Sequence, residues 1–158
     1  MTYWITAIDI LLLIAGYFCF IFPKIRHKGK AQILLSTLFT IYSIALIYFT
    51  LLPIIPTFDT PAINLIPFRD YMYHFGNYNE EMFLNILLFV PMGFFLTMHT
   101  KAKLIRIILY GALISLAIEI LQPWITIGRV CDITDLFTNT AGTCIGAIAA
   151  KLIFHHKN

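Results

Sequence analysis

The sequence predicts an all-α, polytopic membrane protein of five transmembrane helices, with the amino terminus outside and the carboxyl terminus cytoplasmic. Three observations carry that prediction. Of 158 residues, 59% are hydrophobic and 12% are charged, against roughly 45–50% and about 25% in soluble domains. Several apolar stretches are long enough, at about 1.5 Å per helical residue, to cross about 30 Å of hydrocarbon. The charges between those stretches alternate in sign. A soluble globule, a disordered tail and a nucleic-acid partner are excluded on these grounds. Cys19, Cys131 and Cys144 form no close pair and no metal-like spacing, so neither a disulfide scaffold nor a metal site is indicated.

The first stretch, Tyr3–Phe22, has no basic residue before it, and its positive charges follow it. That is the reverse of a secretory signal, and it reads as a retained span. The others are Ala31–Leu52, Met82–Met98, Leu104–Gln122 and Ile133–Phe154. Residues 1–30 are then a first helix with a basic loop, and residues 31–154 are the main membrane domain, with an outer loop at 53–80. Lys24, Arg26, Lys28 and Lys30 follow span one, Lys101, Lys103 and Arg106 follow span three, and Lys151 and Lys157 end the chain. All eight acids lie elsewhere. Basic loops stay cytoplasmic, so the net charge of +3 is a topology signal and requires no anionic partner.

On this topology the polar residues gather in the outer third of the membrane. Asn85 lies one turn inside span three, Glu119 one turn from the end of span four, and Asp132, Asp135 and Asn139 descend the start of span five. Steps of three and four residues share a helical face. Asp132, Asp135, Asn139, Gly142 and Gly146 form one stripe, and Gly111, Ser115, Glu119 and Gln122 another. Polar groups facing lipid are costly, so these stripes are expected to face one another. Gly142 and Gly146 read as plain helix packing, Pro91 with Gly93 as a kink, and Asp132 equally well as a helix cap. A carboxylate inside an apolar run, such as Glu119, is by default a functional hypothesis. Arg129, in the short connection before Asp132, is placed to pair bidentately with the carboxylates. The outer loop carries Asn64, Arg69, Asp70 and His74 among many aromatic rings, which suit a membrane interface. It is expected to cover the acidic cluster, with a short helix.

At these residues the chain resembles the VanZ-like family of bacterial membrane proteins. The resemblance is carried by Asn64-Leu-Ile-Pro67-Phe68, followed by Arg69, and by Asn85 through Phe89-Val-Pro91-Met-Gly93. It continues with Ser115-x-x-x-Glu119-x-x-Gln122, Arg129-x-x-Asp132-Ile-Thr-Asp135 and Asn139-Thr-x-Gly142. Other members carry a further acid where this chain has Thr134. The resemblance implies a plasma-membrane protein at the bacterial cell surface and, from the founding member, reduced susceptibility to teicoplanin-type lipoglycopeptides. It implies no particular reaction, so three readings stay open. The first is a non-catalytic factor whose partner is a membrane lipid or the lipoglycopeptide, bound at Glu119, Asp132, Asp135, Arg129, Asn85, Asn139 and Gln122, with Asn64, Pro67, Phe68 and Arg69 in support. The second is an intramembrane enzyme working on a lipid head group by acid–base or metal-assisted chemistry. The third is a lipid transporter subunit, for which the chain offers no internal repeat. No cofactor is expected, and the oligomeric state is left open.

Overall fold

A computed structural model of the chain describes residues 2–27, 29–52, 62–74, 76–100, 102–126 and 129–155. Residues 53–61 of the expected outer loop, with Asp59, lie outside the described residues. So do Lys28, Lys101, His156, Lys157 and the side chain of Asp9.

Among the described residues, four helices are long and apolar enough to cross a membrane. They are α3 (Lys30–Leu51), α5 (Tyr78–Thr100), α6 (Leu104–Ile125) and α7 (Ile133–His155). Their 22 or 23 residues span roughly 33 Å. The first expected span is built from α1 (Thr2–Gly16), a π-helical turn (Tyr17–Ile21) and α2 (Phe22–Ile25). Pro23 falls in the first turn of α2, where its missing N–H is no loss. The apolar part of this segment, Ile10–Ile25, is shorter than the other four.

Two of the departures from the expected placements have local reasons. Helix α5 starts at Tyr78 rather than Met82, so Asn85 lies two turns inside it. Glu80 and Glu81 occupy its first turn, where carboxylates favour the positive helix end. Asp132 does not belong to α7. It lies in β2 (Cys131–Asp132), a two-residue strand that pairs in parallel with β1 (Ile63–Asn64), with Ile63 opposite Cys131 and Asn64 opposite Asp132. The remaining short element is α4 (Arg69–Tyr73), the helix expected within the loop.

The chain divides into two compact units. The first comprises Met1–Asp59 and Trp124–Gly128. Within it, Tyr17 and Thr37 share a hydroxyl hydrogen bond of 2.8 Å, and the Thr126 hydroxyl donates to the Leu51 carbonyl at 3.2 Å. The second comprises Thr60–Pro123 and Arg129–Asn158 and holds α5 and α7 in parallel contact. That contact depends on glycine. A Cβ on Gly142 would strike the Ile86 carbonyl, one on Gly146 the Val90 carbonyl, and one on Gly93 the Thr143 backbone. Helix α6 runs antiparallel to α7, with Gly111 against the Thr143 side chain and Ser115 opposite Asn139.

The faces are inverted relative to a water-soluble bundle. On α6 the buried residues include Gly111, Ser115, Glu119 and Gln122, while Leu109, Leu113, Leu116 and Ile120 are exposed. Such a helix is stable where its surroundings are hydrocarbon. Hydroxyls within the spans are satisfied locally: Thr37, Thr40, Ser43, Thr97 and Thr140 each donate to the carbonyl four residues earlier.

Candidate functional site

The second unit gathers the polar residues where α5 and α7 begin and α6 ends. The innermost layer is Asn139, whose amide donates to the Ser115 hydroxyl at 2.9 Å. Both residues are buried. One turn along, Glu119 is only 2% exposed. Its Oε2 accepts the Asp132 backbone N–H at 3.0 Å. Across the same level, the Asn85 amide donates to Asp135 Oδ1 at 2.7 Å. Burying a carboxylate costs several kcal/mol unless hydrogen bonds replace its water, and these two contacts supply part of that replacement.

The outermost layer joins the loop to the helices. The Asn64 amide donates to Asp132 Oδ2 at 2.7 Å, and Asn64 Oδ1 accepts the Ile66 N–H at 3.2 Å. The other Asp132 oxygen accepts the Thr134 N–H at 2.7 Å. That is an N-terminal helix cap, so the capping role and membership of the cluster fall on one residue. Thr134 in turn accepts the Phe68 N–H on its hydroxyl at 2.9 Å. The Phe68 ring stacks on Phe137, with centroids 6.3 Å apart.

The structure thus brings together Asn64, Asn85, Glu119, Asp132, Asp135 and Asn139, with Gln122 buried on the face of Glu119. It does not bring Arg129 into the hydrogen-bonded set. Arg129 is exposed, and among the described residues it makes no ion pair with Glu119, Asp132 or Asp135. The carboxylates take backbone and amide donors instead, so the expected bidentate pairing is absent. Arg69 is also exposed, at the start of α4, and Pro67 and Phe68 line an apolar groove. Thr134, which stands in the sequence only as the position where other members carry an acid, takes a structural part in the cluster. Its signal was its position two residues after Asp132, the spacing of a capped N–H.

Chemically, the layer has more acceptors than donors. Glu119 Oε1, Asp135 Oδ2 and Asn139 Oδ1 have no hydrogen-bond partner among the described residues, and Asn139 Oδ1 is fully buried. Leaving such a buried oxygen unpaired costs about 1–3 kcal/mol, so an N–H or O–H group reaching Asn139 Oδ1 would be stabilised there. Among the described residues, no three of His, Cys, Asp and Glu are arranged to hold a metal ion. Burial first, and then the Glu119, Asp132 and Asp135 charges, raise the pKa of the Cys131 thiol, which makes it a poor nucleophile.

The VanZ/LLP1 family pattern matches residues 39–154. Protein VanZ of Enterococcus faecium is 31% identical over 136 residues, which is 85% of this chain and 80% of that protein. No solved structure matches the chain. The six hydrogen-bonded residues of the polar layer all fall within the matched segment, and the chain belongs to the VanZ-like family.

Proposed function

We propose that this VanZ-like protein crosses the bacterial plasma membrane five times, amino terminus outside, and lowers susceptibility to teicoplanin-type lipoglycopeptides. It does so by binding the drug or a lipid-linked cell-wall component at the outer face. One observation supports this: three acceptor oxygens, Glu119 Oε1, Asp135 Oδ2 and Asn139 Oδ1, have no donor among the described residues and lie within one turn of each other in the polar cluster. Glycopeptides and wall precursors are rich in amide and hydroxyl donors, and the outer leaflet is where both are met. The five-span orientation is supported by the basic residues that follow spans one and three and by the acids at the opposite helix ends.

The test is drug susceptibility in a host where the wild type gives a phenotype. Glu119→Gln and Asp135→Asn keep shape but replace an acceptor oxygen with a donor, and both should abolish the phenotype at unchanged membrane abundance. Full activity of both variants would make the layer structural. Orientation is read separately by an impermeant thiol reagent. Single cysteines within residues 62–74 should react on intact cells, and cysteines at Arg26 or Lys30 only after lysis. Labelling of the basic loop on intact cells would overturn the topology.

A further inference from the structure

A second feature of the same unit is apolar, and the polar layer does not use it. Gly142 and Gly146 hold α7 against the α5 backbone at Ile86 and Val90. Near the first turns of the two helices lies an open groove of about 700 Å³. Met82, Phe83 and Ile86 line it from α5, and Phe137 and Ala141 from α7. Pro67 and Phe68 close its upper end. Its volume falls within the roughly 300–1,000 Å³ of small-molecule sites.

The upper end is built at a cost. Phe68 adopts φ 56°, a left-handed conformation that is strained for a residue with a side chain. The Thr134 hydroxyl holds its N–H and Phe137 stacks on its ring, so the strain is retained where it positions an aromatic wall. Asn79, at the same end, is the polar edge of the groove. Arg69 follows Phe68 there, exposed, and makes no hydrogen bond or ion pair through its side chain among the described residues.

We infer that this groove seats one hydrocarbon tail of a membrane phospholipid, with the phosphate at the Arg69 end. The flanking helices are both membrane-spanning by length and composition, so the open side meets acyl chains rather than water. Arg69, the residue after Phe68, is exposed and has no acid partner among the described residues, so its guanidinium complements a phosphate. This inference shares Pro67, Phe68 and Arg69 with the residues expected to support the polar site, but it uses neither Glu119 nor Asp135, so its test reads lipid contact and not resistance.

The test uses the full chain in bilayer nanodiscs containing phosphatidylglycerol with a diazirine in one acyl chain. After photolysis, adducts are mapped by peptide mass spectrometry. Labelling should concentrate on residues 79–86 and 137–141 relative to the exposed α6 face at Leu109, Leu113 and Leu116. Ala141→Trp fills the groove and should lower its labelling about tenfold, equivalent to about 1.4 kcal/mol of tail binding, with α6 labelling unchanged. Ala141→Leu carries the test if the tryptophan variant is not produced. Equal labelling of groove and α6 face, undiminished labelling in the filled variant, or photo-crosslinks from Phe83 to a second copy of the chain would each overturn the inference.

Discussion

The Asn64–Asp132 contact permits a swap experiment whose outcome is fixed by donor and acceptor counting. In the wild type three bonds depend on this pair: the Asn64 amide to Asp132 Oδ2, the Thr134 N–H to Asp132 Oδ1, and the Ile66 N–H to Asn64 Oδ1. Asp132→Asn leaves a single oxygen at position 132. If that oxygen caps Thr134, its amide faces the Asn64 amide, donor against donor. The lost charge-assisted bond is worth about 1.5–3 kcal/mol, or a drop of roughly 3–12 °C in melting temperature at about 2–4 °C per kcal/mol for a chain of this size. Asn64→Asp instead sets two carboxylates together, a repulsion near 4 kcal/mol at about 4 Å with an effective dielectric of about 20, before protonation relieves it. The double variant Asn64→Asp/Asp132→Asn reverses the central bond and restores all three. It should melt within a few degrees of wild type, with a coupling of about 2–3 kcal/mol in the double-mutant cycle. The assay is thermal unfolding in detergent, followed by intrinsic fluorescence. A double variant no more stable than the weaker single one would show that the pair does not hold the loop to α7.

Other consequences are more direct. Gly142→Ala should destabilise by about 1–3 kcal/mol, although alanine normally gains about 1 kcal/mol over glycine in a helix, because its Cβ meets the Ile86 carbonyl; a gain in melting temperature would contradict the backbone contact. Thr134→Val removes the acceptor of the Phe68 N–H and should cost about 1–2 kcal/mol, whereas Thr134→Ser, which keeps the hydroxyl, should retain most of it in the same melting assay. Arg129→Lys should change stability by less than about 0.5 kcal/mol, since the guanidinium contacts none of the three carboxylates. In a Cys19→Ser/Cys144→Ser background, iodoacetamide alkylation of Cys131 should keep accelerating beyond the pH at which free cysteine reaches its plateau. A thiol raised in pKa by burial and nearby acids reaches full ionisation later, and a plateau at the pH of free cysteine would contradict that environment.

What the sequence made legible follows from where the physics is periodic. The stripes Gly111–Ser115–Glu119–Gln122 and Asp135–Asn139–Gly142–Gly146 were readable because a helix fixes which residues share a face and lipid drives polar faces inward. Close helix packing by α7 was readable from Gly142 and Gly146, but that the partner is the α5 backbone, and that Gly93 meets Thr143, depend on a crossing that no spacing reveals. The β1–β2 pairing left no trace, since two-residue strands carry no alternation and their partners lie 68 positions apart. Arg129 stands outside the hydrogen-bonded set for a different reason. Charge counting pairs a cation with the nearest acids, yet a buried carboxylate is satisfied equally well by neutral donors already held in place. Asn64, Asn85 and the Asp132 N–H are such donors. That choice has a structural consequence. An arginine in contact would neutralise the layer and occupy its oxygens, whereas amides fix the carboxylates in position while leaving Glu119 Oε1 and Asp135 Oδ2 open. The arrangement that leaves Arg129 outside the hydrogen-bonded set therefore also leaves those two oxygens without a donor among the described residues.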